Sequence, residues 1–239
     1  MDAVTGTAAG GSLGVLALAT ALFVGSHLLL SAPPLRTPLV ARLGERGFQA
    51  AYSVLSLGLI VWAAMAYADA PVVVLWLPPV ALRHLSLTIM PLACILIVAG
   101  VSTPNPTAIG PAPEAAASRG PVGIAKVTRH PVMWGIALWG ISHLLANGDA
   151  AGLILFGGMT LLALAGSRAQ EARKCAQQGA AWDAYAARTS YLPFAALIAG
   201  RTRLRWPEIG WWRIGLGLAL YGALLWAHPR LFGVSPLPL

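Results

Sequence analysis

Charge is what this chain has least of: Asp, Glu, Lys and Arg together make up 10% of its 239 residues, while 57% are hydrophobic. No soluble domain of this length needs so large an apolar share to fill one core, so the bilayer is the solvent that explains it. Cysteine is scarce too. Cys94 falls inside an apolar run and Cys175 in a polar stretch, which gives no disulfide framework. The absence of Cys-x-x-Cys-His excludes covalent attachment of a c-type haem, and no paired-cysteine spacing for zinc occurs. Basic residues are missing ahead of the first apolar run, where only Asp2 is charged, so the first helix is read as uncleaved rather than as a signal peptide. There is no internal repeat and no low-complexity block, and residues 1–239 read as a single transmembrane domain.

What is present is a series of apolar runs. A membrane-spanning helix takes roughly 20 mostly apolar residues. Five runs near that length carry no charge: 13–30, 50–68, 85–101, 131–146 and 150–167. A sixth, 211–229, contains Arg213 close enough to its start to reach the headgroups. The expected fold is therefore all-α, a polytopic integral membrane helical bundle of about six transmembrane helices. Residues 72–82 are apolar as well, but their length and the Pro78-Pro79 pair suit an interfacial or re-entrant piece better than a crossing.

Basic residues near span ends are retained in the cytoplasm. Arg36, Arg42 and Arg46 follow the first run, Arg119, Lys126 and Arg129 lie between the third and fourth, and eight more lie between the fifth and sixth; only Arg83 and Arg230 fall on the other side. This distribution predicts a bacterial-type inner-membrane protein with both termini on the non-cytoplasmic side. The net charge of +8 is then mostly a topology signal, and nucleic acid is not an expected partner.

Two loops are sizeable. The first, 102–130, opens with Thr103-Pro104-Asn105-Pro106-Thr107, continues through Pro111 and Pro113, and ends at Arg129-His130-Pro131, where proline suits the first turn of a helix. The second, 168–205, is helix-like over 171–185 and then apolar over 191–199, a composition expected at the inner membrane surface. Asn147-Gly148-Asp149 joins the fourth and fifth runs so tightly that they must be antiparallel.

All five histidines, His27, His84, His130, His143 and His228, lie in or at the ends of apolar runs. An intramembrane imidazole needs a partner or a function. For His84 and His228, at outer ends, a headgroup-level role suffices; His27 and His143 are the deepest. Two facing imidazoles inside a bundle are what a non-covalently held b-type haem requires. By helical rise His27 and His143 differ by roughly 11 Å in depth, so depth alone favours His27 with His130. Arg36, Lys126 and Arg129 suit haem propionates at the inner surface, although orientation alone also predicts arginines there. Trp134 and Trp139 suit a cofactor wall or ordinary packing.

Several short stretches resemble the NnrU family: His27-Leu28-Leu29-Leu30 with Arg36, Leu43-Gly44-Glu45-Arg46, Asn105-Pro106, Thr128-Arg129-His130-Pro131, His143 with Asn147-Gly148, Arg188-Thr189-Ser190 with Pro193-Phe194, and Ala227-His228-Pro229. They run in order over nearly the whole chain. That family takes in bacterial proteins linked to nitrite and nitric oxide reduction and the plant zeta-carotene isomerase, a haem b enzyme. The resemblance implies haem b with axial ligands at His27 and His143, with Arg129, His130 and Arg36 beside the haem or its propionates. It further implies that His27 and His143 are the catalytic pair, that the partners are the lipid bilayer and an apolar small molecule or nitric oxide, and that redox chemistry or cis–trans isomerisation is the activity. The plant enzyme has a cysteine three residues before its second ligand; this chain has Gly140 there.

A more distant likeness runs to S-adenosylmethionine-dependent membrane methyltransferases of the isoprenylcysteine or phospholipid type. Their Arg-His-Pro-x-Tyr-x-Gly is echoed by residues 129–135, with Trp134 following Met133 where tyrosine is expected, and Glu171, Tyr185 and Pro193 echo a second motif. Methyl transfer is the alternative function, and it leaves the histidines in the spans unexplained.

Overall fold

The computed structural model describes residues 11–107 and 120–237; Asp2, Pro111, Pro113 and Arg119 lie outside them. Each of the six apolar runs is helical. Helix α1 spans Leu13–Ser31, and the Ser12 hydroxyl accepts from the Val15 N–H at 3.1 Å to close its first turn. Helix α2, Pro33–Ala68, starts directly after it with two prolines and is broken at Gly44, whose φ of 71° no helix interior adopts. The basic stretch after α1, which carries Arg36, Arg42 and Arg46, is therefore helical. Helix α3 spans Val80–Ser102, α4 Pro131–Ala146 and α5 Ala150–Gln178, the last capped by Asp149 Oδ1 accepting from Gly152 N at 2.7 Å. Short helices α6 (Ala180–Ala187) and α7 (Ala195–Ile198) precede α8, Trp211–Phe232.

Helices α1, α2, α3 and α5 are long and apolar enough to cross a membrane; α4 is a shorter apolar helix of 16 residues. Side chains such as Leu18, Val54, Leu57, Met65 and Trp226 project outward from the bundle, as lipid-facing positions do. The chain is a helical integral membrane protein. Its tight α4–α5 turn marks one end, here the turn end, and its arginine-rich loops mark the other, the basic end. Residues 71–79 are not helical. They strap the turn end, where Gly148 O accepts from Leu75 N and Trp76 N at 2.7 and 3.0 Å.

The helices pack in the order α2, α1, α5, α4, α3, α8. Glycine sits at each close crossing after α1. A Cβ on Gly158 of α5 would meet Thr20 of α1 at 2.5 Å, one on Gly140 of α4 would meet Thr160 of α5 at 2.2 Å, and one on Gly135 would meet Ile97 of α3 at 2.6 Å. Small residues at helix crossings let backbones approach where apolar lipid leaves little hydrophobic drive for association. The main apolar core lies between α1, α2 and α5, around Leu16, Phe23, Ala63, Phe156 and Met159.

Candidate functional site

Nδ1 of His27 lies 2.7 Å from the Phe23 carbonyl, and Nδ1 of His143 lies 2.8 Å from the Trp139 carbonyl. A carbonyl only accepts, so in each ring Nδ1 carries the proton and Nε2 keeps its lone pair. Among the described residues neither Nε2 has a hydrogen-bond partner. His84 and His228 make the same kind of bond, to Val80 O at 3.0 Å and Val234 O at 2.9 Å, but on exposed turns. Surroundings therefore distinguish the deep pair. His27 rests on Phe23 at 4.2 Å between ring centres and meets Tyr52 of α2 edge-on at 5.2 Å. His143 stacks on Phe156 at 4.5 Å and lies 5.0 Å from Trp139.

The backbones of His27 and His143 stand at different levels of the bundle, and each ring leans back over the preceding turn of its helix, toward the other's level, because α1 and α4 run antiparallel. The contacts of Gly158 with Thr20 and of Gly140 with Thr160 and Phe156 put Thr20, Gly158 and Gly140 at one height. His27 stands seven residues from Thr20 toward the basic end and His143 three residues from Gly140 toward the turn end, an offset of about 15 Å by helical rise. Helix α2 agrees independently. Tyr52 touches His27, while Tyr67, about 22 Å along the same helix, touches Phe156 and through it the His143 pocket. The roughly 11 Å from hydropathy grows because glycine contacts, not span lengths, set the register.

Below His27 the basic end carries two arginines. Arg36 lies 5.4 Å over the Phe48 ring, Phe48 stacks on Tyr52, and Arg36 is paired with Glu45 at 2.5 Å. Arg173 of α5 donates from Nη1 to Ser31 O at 2.7 Å, one turn after His27 on the same face of α1. It lies within electrostatic reach of Arg36 and Tyr52.

Arg129 and His130 belong elsewhere. Both bond to one oxygen of Glu171: Arg129 through Nε and the fully buried His130 through Nε2 at 3.0 Å. Glu171 lies past Ser167, in the polar extension of α5 beyond the apolar run. Burial alone would raise its pKa, but the bonds from His130 and Arg129 and their charges prevail and hold it to about 2. Backbone bonds clamp the cluster, with Arg129 N on Ser190 O at 3.0 Å and Thr107 Oγ1 on Arg129 O at 2.6 Å. His130 Nδ1 is buried without a partner. Beside His130, a cavity of about 30 Å³, room for about one water, is lined by Asn105, Thr107 and Val132. Glu171 and Arg173 are two residues apart, about 200° around α5, so His130 and His27 stand on opposite sides of that helix.

The haem b implied by the resemblance needs an imidazole nitrogen with a free lone pair, flat apolar walls and cations for two carboxylates. His27 fits on all three counts. His143 fits on the first two, and its ring leans along the bundle toward the level of His27. Sequence reasoning passed over Arg173, which reads as one more topology arginine, and Tyr52, which reads as an ordinary span residue. Glu171 signalled only through the methyltransferase echo, and the structure spends it on Arg129 and His130.

Residues 15–236 match a family model described as NnrU protein. A chloroplastic 15-cis-zeta-carotene isomerase of Zea mays is 35% identical over 82 residues, 34% of this chain and 22% of that protein, so the chain spans about a fifth of the relative's length in this match. No solved structure matches.

Proposed function

Since the chain belongs to the NnrU family, we propose that it is a membrane-embedded haem b protein that isomerises a cis double bond of an apolar polyene, with His27 holding the iron. The observation that carries the reading is the state of His27: a neutral imidazole, its Nδ1–H tied to Phe23 O at 2.7 Å and its Nε2 lone pair free. That bond fixes ring orientation and tautomer, as the outer partners of ligating histidines do. Phe23 and Tyr52 supply aromatic walls against the ring. When bound there, a haem would supply a redox-active, Lewis-acidic centre. The apolar helices offer a lipid-soluble substrate a lateral approach, and the aromatic walls keep water from the His27 ring. His143 presents a second free Nε2 in its own aromatic pocket. The basic end is proposed to face the cytoplasm, with both termini on the other side.

The test is an absorption spectrum of detergent-purified protein, oxidised and dithionite-reduced, for wild type, His27→Ala, His143→Ala and the exposed control His84→Ala. A Soret band lost in His27→Ala and kept in the other two is expected. A wild type that stays colourless after hemin is added sinks the haem reading. Loss in both His27→Ala and His143→Ala would mean that both imidazoles hold the iron, overturning the one-histidine arrangement. Conversion of a cis-polyene by reconstituted holoprotein, read by chromatography, then tests the isomerase assignment.

A further inference from the structure

Arg173 has more donors than its visible role uses. Its Nη1 satisfies Ser31 O at 2.7 Å, one of the carbonyls that the C-terminus of α1 leaves without a helical partner. Nε and Nη2 have no acceptor among the described residues. Capping a helix end needs one N–H; a guanidinium offers five in a planar fork that matches a carboxylate.

Its surroundings hold too little negative charge. Arg36 lies within electrostatic reach, and the carboxylate beside the pair is Glu45, bonded to Arg36 and also to Gln49 at 3.0 Å. Glu45 is half-exposed on α2, while Arg173 is partly buried between α1 and α5. Two guanidiniums gathered at a membrane boundary repel one another unless an anion joins them. Arg36, Phe48, Tyr52 and His27 form a continuous series of ring contacts at 5.4, 5.9 and 5.2 Å, so the cationic pair is joined to the free imidazole by one aromatic wall. Four residues, about 6 Å of helix, separate His27 from the carbonyl on which Arg173 is anchored.

We propose that Arg173, with Arg36 beside it, receives the carboxylates of the tetrapyrrole held at His27, with Arg173 the principal anchor because Arg36 is already paired with Glu45 while Arg173 has no carboxylate partner among the described residues. The inference rests on the haem reading of the preceding section. Arg173 is a binding residue, and its effect is on affinity for the acid form of the ligand.

The experiment titrates the full-length apoprotein in neutral detergent with hemin and with hemin dimethyl ester, in which both carboxylates are masked. Wild type is expected to bind hemin at least tenfold more tightly than the ester. Arg173→Gln should lower hemin affinity about tenfold and leave ester affinity unchanged, and Arg173→Lys should recover part of the loss. Equal wild-type affinity for acid and ester overturns the proposal and leaves the arginines to anionic lipid headgroups, while the haem reading stands. Equal weakening of both ligands in Arg173→Gln overturns it in favour of a purely structural cap. Wild type that binds neither ligand sinks the haem reading and this inference with it. The acid–ester comparison on wild type needs no variant to fold.

Discussion

Replacing Glu171 by glutamine tests the account of the basic end. A glutamate that ordinarily titrates near 4.5 is held to about 2 by His130 and Arg129. At about 1.4 kcal/mol per pH unit, the depressed value corresponds to roughly 3 kcal/mol of stability. Because the folded-state value lies below the unfolded one, that contribution is complete above about pH 5 and drains away as pH falls toward 2. The Glu171 side chain is 21% exposed and Arg129 14%, so solvent screens the cluster only in part. Glutamine keeps an oxygen for His130 Nε2 but removes the charge that Arg129 needs, which leaves a largely buried guanidinium unpaired. For a chain of this size roughly 3 kcal/mol lowers the unfolding midpoint by about 6–12 °C. The assay is tryptophan fluorescence during a thermal ramp in detergent at a series of pH values from 7 to 3. Wild type should lose its advantage over Glu171→Gln progressively between pH 5 and 3. Equal midpoints at pH 7, or parallel pH profiles for the two proteins, would refute the reasoning.

Two further outcomes follow from packing. Gly140→Ala should cost about 1–3 kcal/mol, because the new methyl meets Thr160 Oγ1 at 2.2 Å and Phe156 O at 3.0 Å; adding Thr160→Ala should restore part of it, and thermal midpoints of the single and double variants check the coupling. A cysteine at this position would meet the same atoms and would need a shift of Thr160 or of α4. Tyr185→Phe should leave stability unchanged or raise it by up to about 1 kcal/mol, since the buried hydroxyl, whose pKa burial raises, has no partner; a lowered midpoint would reveal a bridging water.

The helix inventory was legible because a bilayer demands long charge-free runs, and all six runs are helices. Legibility fails at boundaries. Residues 33–49 carried only a charge signal in the sequence, yet Pro33 and Pro34 start a helix at once and Gly44 breaks it. The apolar run of α5 ends at Ser167, while the helix continues to Gln178, because α-helical hydrogen bonding does not stop where lipid does. His27 and His143 stood out as deep imidazoles for the same energetic reason that makes intramembrane ionisable groups rare.

Composition and charge by themselves determined that the chain is a membrane-spanning helical bundle with one basic end, since one-dimensional hydropathy is enough to fix what must leave water. Which residues meet was decided only in three dimensions. Glycines 140 and 158 set the sliding register of α4 and α1 against α5, and so put about 15 Å of helical rise between the backbones of His27 and His143. A two-residue spacing on α5 sends Glu171 to His130 and Arg173 to the end of α1. Register and rotation are properties of side-chain contact between helices, and no single helix carries them in its own sequence.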